Sequence, residues 1–255
     1  MTASLASDHW RATDSRPGPD AADPSQDCDT CLMPDPLLAV LSKRTGWAGA
    51  LKRLHDLYDE HGTDAAMSAE GYADRYKGRR AAMVFDAVAS RQRKYELVVL
   101  PWVAIFDTEP ASASLAALST IGPSSAFHLR TGEAETMRSV ADGLLRFGVD
   151  NDLGDDDDDA TEAWAGAVEA LEVVPSLDPY VGSVKGIGVA LFRYLRMRSG
   201  ADAIKPDVRV RKAVERLGFT VPAGAAALLA VSTALATELG ISRLVLDQLL
   251  WSTLS

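Results

Sequence analysis

The chain has 255 residues, 47% hydrophobic and 24% charged, values that fit a soluble globular protein with one domain or two lobes on a shared core. Its longest apolar run, Leu97–Phe106, is far shorter than the roughly 18–20 residues of a membrane span and is interrupted by Pro101. No basic segment leads into an apolar one at the N-terminus, and the two cysteines, Cys28 and Cys31, both sit near it, so neither a secretory leader nor a disulfide framework is expected. The reading is a cytoplasmic protein.

A net charge of −10 argues at first against polyanionic partners, but the charge is segregated. Residues 1–33 contribute −4, and Asp150–Glu162 contributes −8 without one base, which leaves the remainder near +2. The window Lys185–Arg216 is near +6, with Arg193, Arg196, Arg209 and Arg211 among its nine bases. With a Debye length of about 8 Å, a local basic stripe of this kind outweighs the overall charge at close range. Its arginines suit phosphates or carboxylates better than base edges.

Residues 1–33, rich in Asp, Ser, Pro and Thr, read as a disordered acidic tail. Helical spacing begins at Leu37–Leu41 and recurs at Trp47, Leu51, Leu54 and Leu57. Further helices are expected over Tyr76–Arg91 and Pro110–Leu118. Between them, Leu97–Val103 leans towards a buried strand, and Pro101 would kink or break a helix there. Glu133–Arg146 places Met137, Val140, Leu144 and Leu145 on one face. The acidic stretch to Asp159 reads as a solvated loop that would repel a polyanion, and Ala160–Leu171 resumes a helix. Helices then follow at Val189–Arg198, Asp207–Leu217, Pro222–Glu238 and Ser242–Trp251, the last with Ser242 as its cap. No hairpin of alternating strands and no repeat is visible, so the fold class is all-α.

The chemistry is concentrated in Val184–Gly218. A short helix is expected to end at Gly186-Ile187-Gly188, and another starts immediately. Glycine allows a tight turn and close approach of backbone to a ligand, and the free N–H groups of the second helix suit a phosphate. Asp207 stands nineteen residues beyond Gly188, within Lys205-Pro206-Asp207-Val208-Arg209-Val210. An aspartate after proline and before a helical run is also an ordinary N-cap, and capping would fix its carboxylate.

These two half-motifs at this separation resemble the helix-hairpin-helix/Gly-Pro-Asp superfamily of DNA glycosylases. Val184, Gly186, Ile187 and Gly188 match its hairpin; Pro206, Asp207, Arg209, Val210 and Arg216-Leu217-Gly218 match the segment that follows. The resemblance covers about 35 residues and implies two helical lobes with the hairpin at the cleft between them. One lobe would span about 110–200; the other would combine 34–109 with 205–255. It implies a monomer acting on double-stranded DNA that flips out a damaged or modified base. Asp207 would be the catalytic carboxylate, with Gly186, Gly188, Ala190, Lys185, Lys205 and Arg209 holding phosphate. The family's lyase lysine would fall at position 190, which is alanine here, so a monofunctional, water-using enzyme is implied. Four cluster-binding cysteines are missing near the C-terminal end, so the resemblance implies no iron–sulfur cofactor, and a monovalent cation at the hairpin is the one ion it would admit. Two alternatives stay open: a non-catalytic DNA-binding module that keeps the hairpin, and a glycosylase/lyase using Lys185 or Lys205. Cys28-Asp-Thr-Cys31 lacks a second pair for zinc, His55, His61 and His128 are dispersed, and Trp102, Phe106 and Trp251 read as core.

Overall fold

The computed structural model describes residues 36–122 and 129–254, so the expectations for the tail, its Cys28/Cys31 pair and His128 lie outside the described residues. Eleven α-helices are present among the described residues, and no strand. In chain order they are α1 (Pro36–Leu41), α2 (Trp47–Glu70), α3 (Arg80–Ala89), α4 (Leu100–Phe106), α5 (Leu115–Ser119), α6 (Glu133–Asp150), α7 (Asp157–Ala167), α8 (Val189–Arg198), α9 (Val208–Arg216), α10 (Ala225–Leu239) and α11 (Arg243–Leu254). The all-α expectation holds. No single described helix is long and apolar enough to cross a membrane.

Side chains gather into two hydrophobic clusters. The first surrounds α3, in which every residue from Arg80 to Ala89 is buried. A helix apolar on all sides must be enclosed, and α4 to α8 supply the enclosure. The second cluster joins α2, α9, α10 and α11 through Trp47, Leu54, Val214, Phe219, Leu235 and Leu250. Side chains of Tyr76–Phe106, with Tyr72 packed against them, belong to the first cluster, whereas Trp47, Ala50, Leu54 and Ala65 of α2 belong to the second. The reason is composition: α3 is too apolar to form an outer layer.

Several element boundaries differ from the sequence reading. Tyr95–Phe106 is helical throughout, not a strand. A wide π turn at Tyr95–Val99 precedes α4, where Pro101 sits in the first turn. A proline in the first turn of a helix occupies a position whose N–H would have no intrahelical partner. Gly78, at φ +68°, breaks the expected 76–91 helix before α3. Pro110–Leu118 divides into a 3-10 turn and α5, whose cap Ser114 accepts the Ala117 N–H at 3.1 Å. Ser242 caps α11 as expected, with its hydroxyl accepting the Val245 N–H at 3.1 Å.

The acidic run is not a solvated loop along its whole length. Asp157, Asp158 and Asp159 form the first turn of α7, where acids complement the helix dipole. Asp157 accepts the Leu115 N–H at 2.7 Å. Asp158 accepts the Gly78 N–H at 2.8 Å and pairs with buried Arg80, which also meets Glu162 at 2.8 Å.

Three arginines converge on one carboxylate. Glu172 pairs with Arg193 at 2.6 Å, Arg196 at 2.7 Å and Arg243 at 2.8 Å. This clamp ties α8 to the start of α11. Burial by itself would raise the Glu172 carboxyl, but the Arg193 hydrogen bond and the three positive charges outweigh it and hold its pKa below the usual value. Replacing Glu172 with glutamine leaves Arg193 and Arg196 buried without a counter-charge, and denaturant titration should show a loss of about 3–5 kcal/mol. A lowered carboxylate stabilises the fold above its unfolded pKa and loses that contribution in acid. The gap between parent and Glu172→Gln should therefore narrow as the pH falls below about 4.

Close approach of backbones positions the segment before α8. A Cβ at Gly143 of α6 would lie 1.9 Å from the Tyr180 carbonyl oxygen. Gly143→Ala should push the 178–186 turns away from α6, at a cost of about 1–3 kcal/mol or more in thermal or chemical unfolding.

Candidate functional site

The expected short helix ahead of Gly186 is replaced by a chain of turns. A 3-10 turn at Pro175–Leu177 is followed by non-helical turns up to Gly186. Buried Asp178 organises them, accepting N–H groups from Tyr180 (2.9 Å), Val181 (3.1 Å) and Gly182 (2.8 Å), together with the Trp164 indole N–H (3.1 Å). Satisfying these donors with a carboxylate makes a helical ladder unnecessary. The Ile187 N–H then donates to Val184 O at 3.0 Å across Lys185 and Gly186. Gly186 has φ +99°, the value a type II turn demands at its third position. Gly188 is extended, so only the first glycine of the pair serves a left-handed conformation.

Helix α8 starts directly after Gly188 with no side-chain cap. Gly188 faces open space, and Val189, Ala190 and Leu191 carry the first N–H groups of the helix onto the wall of a cavity. That cavity has a volume of about 1060 Å³ and is lined from both hydrophobic clusters. Gly186, Gly188, Ala190, Lys205, Asp207 and Arg209 all border it. Lys185 is exposed and does not; its carbonyl accepts the Thr136 hydroxyl at 2.9 Å.

Asp207 caps α9. Its Oδ1 accepts the Arg209 N–H at 2.8 Å and the Val210 N–H at 3.1 Å. Its Oδ2 faces Lys205 Nζ at 3.9 Å. The cap therefore occupies one oxygen and orients the other, so the N-cap and ligand-facing readings of Asp207 are compatible in one geometry. Lys205 Nζ also lies 4.1 Å from the centre of the Tyr194 ring. Burial disfavours its charge and lowers its pKa, against the opposing pull of Asp207.

The basic window is not a continuous surface stripe. Arg193, Arg196 and Arg198 are buried, and the first two are spent on Glu172. Arg211 donates to the carbonyls of Val221, Pro222 and Gly224 and holds the turn before α10. Helical periodicity turns the 193–198 segment inwards, a fact that a charge sum over a linear window cannot register. Arg209 stays at the cavity, 5.1 Å from the Trp251 ring centre.

Several cavity residues were not legible in the sequence. Tyr95 and Tyr194 line the cavity and reach a buried polar knot: Asp86 Oδ2 accepts the hydroxyls of Tyr76, Tyr95 (2.8 Å) and Tyr194 (3.1 Å). Arg198 stacks 3.6 Å above the Tyr72 ring centre and donates to the Tyr194 and Tyr95 hydroxyls at 3.2 and 3.3 Å. Four of the six tyrosines of the chain thus meet at one place, although they are far apart in sequence. Arg91, from the segment after α3, lies beside Gly186; a Cβ on that glycine would come within 3.1 Å of its guanidinium. Trp251 borders the cavity and packs edge-on to Tyr95 at 6.3 Å, whereas the sequence reading had it in the core. Phe106 is core as expected, and Trp102 is half-buried under Arg93.

Asp247 of α11 is the second carboxylate close to Asp207. It is buried, and its Oδ1 accepts the Lys205 N–H at 2.9 Å. Burial is the main cause that raises its pKa to about 7, opposed by the Lys205 N–H and helped by Asp207. Among the described residues, no group of three or more His, Cys, Asp or Glu side chains is placed to hold a metal ion. No protein-family model, curated protein or solved structure matches the chain.

A carboxyl raised in the fold stabilises it below its unfolded pKa and loses that contribution as the pH climbs towards the folded value. The parent protein should therefore lose stability from Asp247 between about pH 4 and 7. Asp247→Asn keeps an acceptor for the Lys205 N–H and cannot ionise. Its stability relative to the parent should rise across that interval and then level off, as read by denaturant titrations at pH 5 and pH 8.

Proposed function

We propose that the chain hydrolyses the N-glycosidic bond of a damaged or modified base in DNA. The observation that carries this reading is that one cavity is bordered by the uncapped N-terminus of α8, by Lys205 and Arg209, and by Asp207. In this reading the two hydrophobic clusters are the two lobes, and the cavity is the cleft between them. The N–H groups of Val189 and Ala190 would take a phosphate, with Arg209 and Arg91 as nearby cations. Lys185, exposed outside the cavity, would meet a phosphate further along the duplex.

A flipped base requires a concave site with aromatic faces, and Tyr95, Tyr194 and Trp251 offer these in a volume at the upper end for small-ligand pockets. Asp207 Oδ2 would stabilise the positive charge that develops on the sugar as the base departs, or accept the proton of the attacking water. Its backbone bonds fix the carboxylate before the reaction begins, the condition under which an electrostatic contribution is largest. Asp207→Asn keeps an acceptor for the cap and removes the charge. Base release from a panel of duplexes, each with one modified base and scored as alkali-labile sites, should fall about a hundredfold or more. An unchanged rate for every substrate would refute the assignment.

One observation favours a second reading, a glycosylase/lyase. Lys205 borders the cavity within 3.9 Å of Asp207, and burial depresses the pKa of its amine, the form of lysine that attacks a sugar carbon. Borohydride should then trap a protein–DNA adduct that Lys205→Gln abolishes. Without an adduct, the water-using reaction stands. Salt-sensitive duplex binding without base release from any substrate would leave only the non-catalytic binding module.

A further inference from the structure

We propose that Asp247 is the acid that protonates the departing base, and that the cavity accordingly selects bases that are neutral while attached to the sugar. The inference rests on the glycosylase reading and adds a second catalytic residue and a substrate class to it.

The first support is placement. Asp247 and Asp207 border one cavity from different elements, α11 and the cap of α9, and Lys205 touches both, its backbone N–H on Asp247 at 2.9 Å and its Nζ 3.9 Å from Asp207. Two carboxylates in unlike surroundings divide acid and base work between them. Asp207 has two helix N–H donors on one oxygen. Asp247 has a single backbone donor and is almost wholly enclosed.

The second support is charge. The groups that bear on Asp247 are Asp207 from α9, Lys205 from the segment before it, Arg198 from α8 and the Tyr72 hydroxyl from the turn after α2, with Gln248 on its own helix. Asp86 lies behind Arg198 and Lys205 and acts on both. Within this cluster three carboxylates meet two cations, and a proton on Asp247 brings the set to neutrality. Burial is the main cause of its raised pKa, and Asp207 adds to it against the opposing pull of Lys205 and Arg198.

The third support concerns the ligand. Arg75, Arg91, Arg198, Lys205 and Arg209 border the cavity and outnumber its carboxylates Glu96, Asp207 and Asp247, while Arg93, also on the wall, is paired with Glu133. A base that already carries a positive charge, such as a ring-alkylated purine, would be repelled by this lining. A neutral base is tolerated, but it leaves as a poor anion unless it receives a proton. The carboxylic acid at position 247 answers that need.

The step balances as follows. The C1′–N bond breaks and its electron pair goes to the base, while the Asp247 proton goes to a ring nitrogen or carbonyl oxygen of that base. Water bonds to C1′, and its proton passes through Asp207 to solvent. Asp247 then regains a proton from solvent. General acid assistance of this kind contributes about 10²–10⁴-fold.

The experiment compares the full chain, Asp247→Asn and Asp207→Asn on duplexes with one hypoxanthine, one uracil or one 7-methylguanine, the last a base that is cationic while attached. For the parent, release of a neutral base should fall as the pH rises through about 7. The variant Asp247→Asn should lower the ratio of neutral-base to 7-methylguanine release at least tenfold and abolish that fall with pH. Denaturant titration of the same preparation verifies that it is folded. An equal loss on all substrates, a retained pH dependence, or release of 7-methylguanine alone by the parent would overturn the role of Asp247. Release of no base by the parent would overturn the glycosylase reading itself, and with it this one.

Discussion

A carboxylate enclosed at the centre of the molecule sets the terms for much of the rest. Asp86 lies on α3, a helix buried on every side, and a charge there is tolerated only with strong donors close by. Three phenols supply them, from the turn after α2, from the π turn before α4 and from α8. Arg198 completes the knot by joining Tyr72, Tyr95 and Tyr194. Four separate stretches of chain are thereby held at fixed positions around one oxygen atom. Two of the phenols, Tyr95 and Tyr194, together with Arg198 also line the cavity.

The same logic operates at the edges of the site. Asp178 gathers the N–H groups of the turns that lead to Gly186, and Glu172 gathers three arginines that tie α8 to α11. Asp207 gathers the first N–H groups of α9. Each carboxylate removes a conformational freedom that the local sequence would otherwise leave open. Together they hold the start of α8, the start of α9 and the middle of α11 around one volume. Preorganisation of this kind is what an electrostatic site requires, because dipoles already in place cost nothing to orient during a reaction.

Much of the helical fold was legible. Trp47, Leu54, Met137, Val140 and Leu144 recur at helical spacing and are buried, as an amphipathic pattern requires. The failures have specific causes. Leu97–Val103 has the composition of a strand, yet it is helical because Pro101 falls in a first turn, where the missing N–H costs nothing. The turns at 178–186 were read as a helix because Gly-Ile-Gly so often follows one. The competing ladder, a side chain accepting three backbone N–H groups, cannot be inferred without knowing that Asp178 is buried.

The sequence by itself determined the all-α character, the N-cap at Asp207 and the uncapped start of α8 after Gly188, because these depend on residues within a few positions of one another. Only the tertiary structure decided that the two segments share a cavity, that Arg193 and Arg196 turn inwards to Glu172, and that Asp247 stands beside Asp207. Those facts depend on side chains far apart in the chain, such as Tyr72 and Asp247 at one volume. Burial, which raises the pKa of Asp247 and turns a basic stripe into an internal clamp, is a property of the packed chain and has no local signature. The stretch from Val184 to Gly218 thus supplied one wall of the site, and the partners that give that wall its chemistry come from α3, from the turns after α2 and from α11.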